Sequence, residues 1–411
     1  MLGPGLITGA SDDDPSGIGT YVQAGSQFGL ATLWTALFTF PFMVTVQDTC
    51  ARVALRTGVG LATSLRRKFP TPLVATCIVA LLVANTINLG ADIQAVAAGI
   101  SLLTNGIVPP TWFVVPVAVG LLVMLVRLHY HVIVRTFKWL TLALFAYVIT
   151  TVIVRPPALP TLHATFVPHV ELGFGFIGIL VAILGTTISP YLFFWQASSE
   201  VDVLHDKTTP PHRAPAPKNA FKRARMDVFV GMLFSQVVMY CIILTSGVVL
   251  HEHGQTSVQT AAQAARSLAP LAGNFAFVVF SVGLVGAGLL AIPVLAGSAA
   301  YAVKEFFGLR GSLADDVRRT PTIYVVMAVA MAGGLTLTFL HINPIQALII
   351  TAVINGLIAP PILALITILA RDSAVMGDQR SGTVRHTLLW IITAVMAAAA
   401  IALLITTVWH G

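Results

Sequence analysis

The chain has 411 residues, of which 56% are hydrophobic and only 9% charged, and its formal charge is +7. Soluble domains carry about 25% charged residues, so this composition excludes a water-soluble globular fold and leaves no room for a sizeable soluble domain. What remains is an all-α polytopic membrane protein in contact with the lipid bilayer.

Apolar stretches of about 20 residues, long enough to cross a hydrocarbon core as a helix, recur along the chain. Eleven spans are predicted, at roughly 3–28, 32–55, 72–103, 111–128, 135–154, 172–200, 227–250, 270–303, 322–340, 343–370 and 386–408, forming one transmembrane domain over 1–411. With the amino terminus in the cytoplasm, every Lys and Arg except Arg155 and Arg266 falls on the cytoplasmic side, including Arg66, Arg67, Lys68, Arg135, Lys138, Lys207, Arg213, Arg310 and Arg319. The positive charge is therefore a topology signal, not a nucleic-acid footprint. The stretch from Met1 to Leu30 carries acids and no basic start, so it is not read as a cleavable signal. Cys50, Cys77 and Cys241 show no metal-ligand spacing and are read as packing residues.

The first span is interrupted by Ser11-Asp12-Asp13-Asp14-Pro15-Ser16-Gly17. Each acid in a membrane segment costs about 2.5–3.5 kcal/mol on insertion scales, so something must compensate them. Asp14-Pro15 starts a helix, with Asp14 as N-cap and proline at the first helical position. The preceding half-helix ends there with free carbonyls and the negative end of its dipole. Carbonyls beside a carboxylate bind cations, which makes Asp14 the predicted ligand. Asp12 and Asp13 are expected to line an aqueous vestibule or to bond neighbouring helices. Asp48, on the second span, and Asp227, at the start of the seventh, are expected near the cytoplasmic interface, easily solvated and without a transport role.

On the third span Asn85, Asn88 and Asp92 share one helical face, either lining an ion path or bonding helix to helix. The sixth span is broken at Gly185-Thr186-Thr187-Ile188-Ser189-Pro190-Tyr191, where proline removes a backbone donor and frees carbonyls around Gly185 to Thr187. That is a simple kink or a set of oxygen ligands. Breaks in spans one and six point to an inverted-repeat transporter with a midplane site: units 1–154 and 172–370, then an extra helix at 386–408. The Pro-, Lys- and Arg-rich stretch from Val201 to Arg225 reads as a flexible cytoplasmic linker. Asn355, just before Gly356 in the tenth span, is a further candidate ligand. All His residues fall in loops or at span ends, which argues against a buried imidazole relay.

The segment from Gly3 to Gly17 resembles the first helix of the NRAMP divalent-metal transporters, whose hallmark there is Asp-Pro-Gly-Asn. The similarity runs nearly end to end: Ser189-Pro190-Tyr191 stands where that family has Met-Pro-His, Ala296 to Gly308 looks like its eighth helix, and Met376-Gly377 follows the tenth. The resemblance implies a LeuT-like fold, two inverted five-helix units plus a final helix. Its metal ligands would fall on Asp14, on Gly17 in place of Asn, on the Thr186 carbonyl, and on Ser189 in place of Met. The soft sulfur is absent, and oxygen ligands with water suit Mg²⁺. Of the family's proton route, Asp92 matches, but Ala95 replaces Glu and Tyr191 replaces His. These departures resemble the NRAMP-related magnesium transporters.

The expected function is transport, not enzymatic catalysis, with no cofactor: Mg²⁺, and also Mn²⁺, carried by alternating access without proton coupling. The alternative is a proton-coupled Mn²⁺ or Fe²⁺ symporter of the same family. An intramembrane aspartyl protease could use Asp14 and Asp92, but the chain lacks a Gly-x-Gly-Asp signature. An amino-acid carrier would repel its carboxylate substrates from Asp12, Asp13 and Asp14. The expected location is a bacterial inner membrane, where a single copy of the chain suffices.

Overall fold

A computed structural model describes residues 3–127, 142–205, 216–309, 311–313, 315, 317–318, 320–336 and 343–410. Every long element among them is a helix: α1 (Pro4–Asp12), α2 (Pro15–Phe28), α3 (Trp34–Thr57), α4 (Leu61–Lys68), α5 (Thr71–Leu103), α6 (Thr111–Arg127), α7 (Phe145–Val154), α8 (Ala158–Phe166), α9 (Phe174–Thr187), α10 (Pro190–His205), α11 (Lys218–Ser246), α12 (Ala276–Phe307), α13 (Pro321–Leu335), α14 (Pro344–Arg371) and α15 (Thr383–His410). Each predicted span meets a helix or a pair of half-helices. Residues 135–141 of the fifth span, 337–340 of the ninth and 206–215 of the linker lie outside the described residues, as do Arg135, Lys138, Lys207, Arg213, Arg310 and Arg319.

Two helices lie where loops are expected. The basic helix α4 is set in place by Glu305 of α12, whose Oε2 accepts from the Ala62 amide at 3.1 Å while Oε1 accepts from Ser198 Oγ at 2.6 Å. The other is α8, whose Thr165 hydroxyl lies 2.9 Å from that of Tyr240 on α11.

Six helices among the described residues are long and apolar enough to cross a membrane, counting α9 and α10 as one. Val79 and Val83 on α5, Val115 and Val119 on α6, Val325 and Val329 on α13 and Ile401 and Leu404 on α15 are exposed, an apolar exterior that suits lipid. Against lipid the hydrophobic effect gives helices no reason to associate, so close backbone packing must hold the bundle together. A Cβ on Gly9 would lie 2.2 Å from the Gly231 carbonyl group, and one on Gly185 would lie 2.0 Å from the Ala352 carbonyl and 2.4 Å from the Gly356 nitrogen. Glycine is required at both crossings. They press α1 onto α11 and α9 onto α14, fixing the broken helices against unbroken ones.

Asp48 departs from its expected easy solvation. It is buried, and its Oδ2 pairs with Arg385 of α15 at 2.8 Å. A buried carboxylate near a helix-bundle end survives by such a partner. Asp227 is also tied to the bundle, since its Oδ2 accepts from the Gly5 amide at 2.6 Å, at the start of α1. The three cysteines are buried and unbonded, as packing residues would be.

Candidate metal site

Both breaks are built by the same local chemistry. At the first, α1 ends at Asp12, Asp13 leaves the helical conformation, and Asp14 is extended before Pro15 opens α2. At the second, α9 ends at Thr187, Ile188 leaves the helix, and Ser189 precedes Pro190, which opens α10. Proline suits a first helical position because its missing N–H would be unpaired there anyway.

Asp14 sits at the centre of a converging set of donors. Its Oδ1 accepts from the Gly17 amide at 2.7 Å, the N-cap bond, and from Ser16 Oγ at 2.8 Å. Its Oδ2 accepts from the Tyr191 hydroxyl at 3.1 Å and, more weakly, from Asn88 Nδ2 at 3.5 Å. Tyr191 also reaches the Ser11 carbonyl at 3.1 Å, and its own carbonyl accepts from Ser298 Oγ of α12 at 2.7 Å. Helices α1, α2, α5, α10 and α12 therefore meet around one carboxylate.

Asp12 and Asp13 turn toward α11. Ser235 donates to Asp12 Oδ2 at 2.6 Å and lies 3.3 Å from Asp13 Oδ1. One hydroxyl proton serves two carboxylates, and Asp12 Oδ1 and Asp13 Oδ2 have no partner. Of the two expected placements, the structure has the helix-to-helix bond; both side chains are fully buried. Asp92 is also fully buried, with the Ser16 backbone amide as its donor, and Asn85 reaches the Leu295 carbonyl at 3.4 Å.

At the second break Ser189 Oγ shares its one proton between the carbonyls of Gly185 and Thr186, each at 2.7 Å. The Thr186 carbonyl keeps a second lone pair for another partner. The Thr186 hydroxyl is buried against the Tyr21 hydroxyl, and a Cβ on Gly17 would lie 3.2 Å from it and 3.2 Å from the Asp12 carbonyl. Gly17 thus leaves space between two oxygens of different helices. Asn355, adjacent to the Gly185 and Gly356 contact, has both amide atoms buried and unpartnered.

Polar contacts continue below the break. Thr8 Oγ donates to Gln196 Oε1 at 2.6 Å, and Gln196 Nε2 to Glu200 Oε1 at 3.0 Å. Ser235 and Gln196 are not marked by the sequence, because serine and glutamine in an apolar span carry no motif. Among the described residues no three His, Cys, Asp or Glu side chains gather as a metal-holding group. A cation at Asp14 would complete its shell from carbonyl, hydroxyl, amide or water oxygen, a hard donor set.

The chain matches the family model described as natural resistance-associated macrophage protein-like over residues 5–406. It is 24% identical over 405 residues to the divalent metal cation transporter MntH of Klebsiella pneumoniae (strain 342), covering 97% of this chain and 92% of that protein. Its fold is similar to the crystal structure of the Eremococcus coleocola manganese transporter, with a TM-score of 0.73 at 15% identity, covering 97% of this chain and 85% of that one. It is also similar to Mhp1, a nucleobase-cation-symport-1 family transporter, with a TM-score of 0.62 at 12% identity over 98% of this chain and 91% of that one.

Proposed function

The chain belongs to the natural resistance-associated macrophage protein-like family, and on that footing we propose that it carries divalent metal cations, Mg²⁺ in first place and Mn²⁺ as well, across a bacterial inner membrane by alternating access around the two breaks. The observation that carries the choice of Mg²⁺ is the donor set. Asp14, the carbonyls of the two half-helix ends, Thr186 and Ser189 offer oxygen alone, with Gly17 and Ser189 where the family has an amide and a thioether. Mg²⁺ dehydrates reluctantly and takes octahedral oxygen, and small side chains leave room for the water it keeps. The C-terminal dipole ends of α1 and α9 add negative potential there.

In this reading Asp14 holds the cation, Gly17 and Ser189 leave space for its waters, and Asn355 and Thr186 supply further oxygens. Asp12, Asp13, Asn88 and Asp92 shape the path with Tyr191. The half-helices α1 and α10 are the parts that swing, with the amino terminus on the cytoplasmic side. Proton coupling needs a group that gives up and regains a proton near the site. Ala95 cannot do so, and tyrosine, with a reference pKa of about 10, is a poor carrier near neutrality.

The second reading, proton-coupled Mn²⁺ transport, is favoured by the similarity to a manganese transporter and by Asp92, a fully buried carboxylate beside Asp14. Uptake into proteoliposomes containing a pH dye, at matched pH, separates the two. Mg²⁺ entry without acidification is expected. Acidification that follows Mg²⁺ or Mn²⁺ entry and disappears in Asp14→Ala would overturn uncoupled transport.

A further inference from the structure

Among the four carboxylates at the first break and beside it, Asp14 alone has both oxygens engaged by protein donors. Asp12 and Asp13 each keep one bare oxygen, and Asp92 has no donor but the backbone amide of Ser16. Ser16 and the Gly17 amide belong to the same half-helix as Asp14 and move with it. The Tyr191 hydroxyl comes from the other broken helix, 177 residues away, and contacts Asp14 Oδ2 and the Ser11 carbonyl at equal distance. A phenol has one proton and cannot bond both acceptors fully, so its hold on each is divided and easily surrendered.

Ser11 lies four residues before Pro15, so its carbonyl is one that the proline leaves without an amide donor. Oδ2 of Asp14 and the Ser11 carbonyl are therefore the oxygens a cation between the breaks would use, and Tyr191 points its proton at both. A carrier that releases its cation must return with this carboxylate still in the membrane, where an unpaired charge is costly. We infer that the Tyr191 hydroxyl takes the place of the cation on Asp14 and Ser11 while the unloaded carrier returns, and yields when the next cation enters. Tyr191 is a positioning residue, held by the Ser298 bond to its carbonyl, and not a metal ligand. The inference rests on the transport reading above.

The test uses the full-length protein in proteoliposomes and compares two rates with Mn²⁺ as the probe. Net uptake into metal-free vesicles requires the unloaded return; exchange of internal Mn²⁺ for external labelled Mn²⁺ does not. In Tyr191→Phe the ratio of net uptake to exchange is expected to fall about tenfold, the effect of one lost hydrogen bond to a charged group. Mn²⁺ affinity by titration calorimetry should stay equal or tighten, because a competitor has been removed. Tyr191→His, which keeps a ring donor, should recover part of the ratio, and Ser298→Ala, which loosens the tyrosine, should lower it in the same direction. A wild-type ratio in both Tyr191→Phe and Ser298→Ala overturns the inference, whether or not the separate rates fall; so does weaker Mn²⁺ binding by Tyr191→Phe, which would make the tyrosine a ligand. If the wild type shows neither uptake nor exchange of any divalent cation, it is the transport reading that fails.

Discussion

The two broken helices solve one problem in opposite ways. In each, a proline opens the second half-helix and strips a donor from the carbonyl four residues earlier, Ser11 at the first break and Thr186 at the second. At the second break the answer is local: Ser189, the residue before the proline, shares its one hydroxyl proton between the Thr186 and Gly185 carbonyls of its own span. At the first break the residue before the proline is Asp14, which has no proton to give when ionised, so the Ser11 carbonyl depends on Tyr191 from across the bundle. Placing an acid where the other break has a hydroxyl supplies charge for a cation and also makes the first break depend on α5, α10 and α11. One break is self-contained; the other is stable only in company.

The sharpest way to break this comparison is to remove the charge. Asp14→Ala deletes the N-cap bond, the Tyr191 acceptor and the ionised ligand together. Cation uptake is expected to fall about 100-fold or more, as befits the loss of a buried charged partner worth about 3 kcal/mol. Normal elution on size exclusion would show that the fold survives. Near-wild-type uptake by such a sample would remove Asp14 from the centre of the site.

Dependence on neighbours can be measured by deleting one donor at each break. Ser235→Ala leaves the Asp12 and Asp13 carboxylates without their shared hydroxyl, a loss expected to be about 1–3 kcal/mol. Ser189→Ala removes a neutral bond to backbone carbonyls and should cost about 0.5–1.5 kcal/mol. Thermal unfolding in detergent should therefore show the larger drop for Ser235→Ala. The reverse order would mean that the second break is the fragile one.

Ser189→Met sharpens the chemical half of the comparison. It restores the thioether that the family carries at this position, and removes the hydroxyl that satisfies the second break from within. Binding preference should shift from Mg²⁺ toward Mn²⁺ and Cd²⁺ by roughly tenfold, since sulfur favours softer ions. Titration calorimetry on both proteins reads this directly. An unchanged preference would mean that position 189 does not face the cation.

What can be read from the sequence divides along the same line. Proline after an acid or a serine, in an otherwise apolar span, is a local signal, and it locates both breaks and the spans around them. The partners at the first break are not local. Ser235 lies 223 residues from Asp12, and nothing in the composition of α11 marks that serine over others. In the sequence Tyr191 reads only as a poor proton carrier, whereas its role as a donor to Asp14 and Ser11 emerges when the two half-helices are brought together. The helices α4 and α8 escape a sequence reading because they are too short or too polar to stand out as spans, and α4 takes its cap from Glu305, 243 residues from Ala62. Asp48 stands near a span end and so reads as solvated; its partner Arg385 belongs to the last helix.

The smallest expected effect comes from a site that belongs to neither break and so serves as their control. Asp372 follows α14, accepts from the amides of Ala374 and Val375 at 2.7 and 3.3 Å, and forms an ion pair with Lys68 of α4. The hydrogen bond from Lys68, and then the two amides, hold its carboxyl below the ordinary carboxylate value. A carboxyl depressed in the folded state stabilises the protein above its unfolded pKa of about 3.9, and the contribution disappears as pH falls through the folded value. Lys68 is 39% exposed, so screening by water limits the pair to less than about 1 kcal/mol. Asp372→Asn should therefore lower the melting temperature slightly at neutral pH, with the difference shrinking below about pH 4, while uptake and the ratio of net uptake to exchange stay at wild-type values. A melting difference that persists unchanged at low pH would mean that the ion pair is not its source. A fall in uptake by Asp372→Asn would show that the tie between α4 and the end of α14 takes part in the cycle, and that the contrast between the two breaks does not account for it alone.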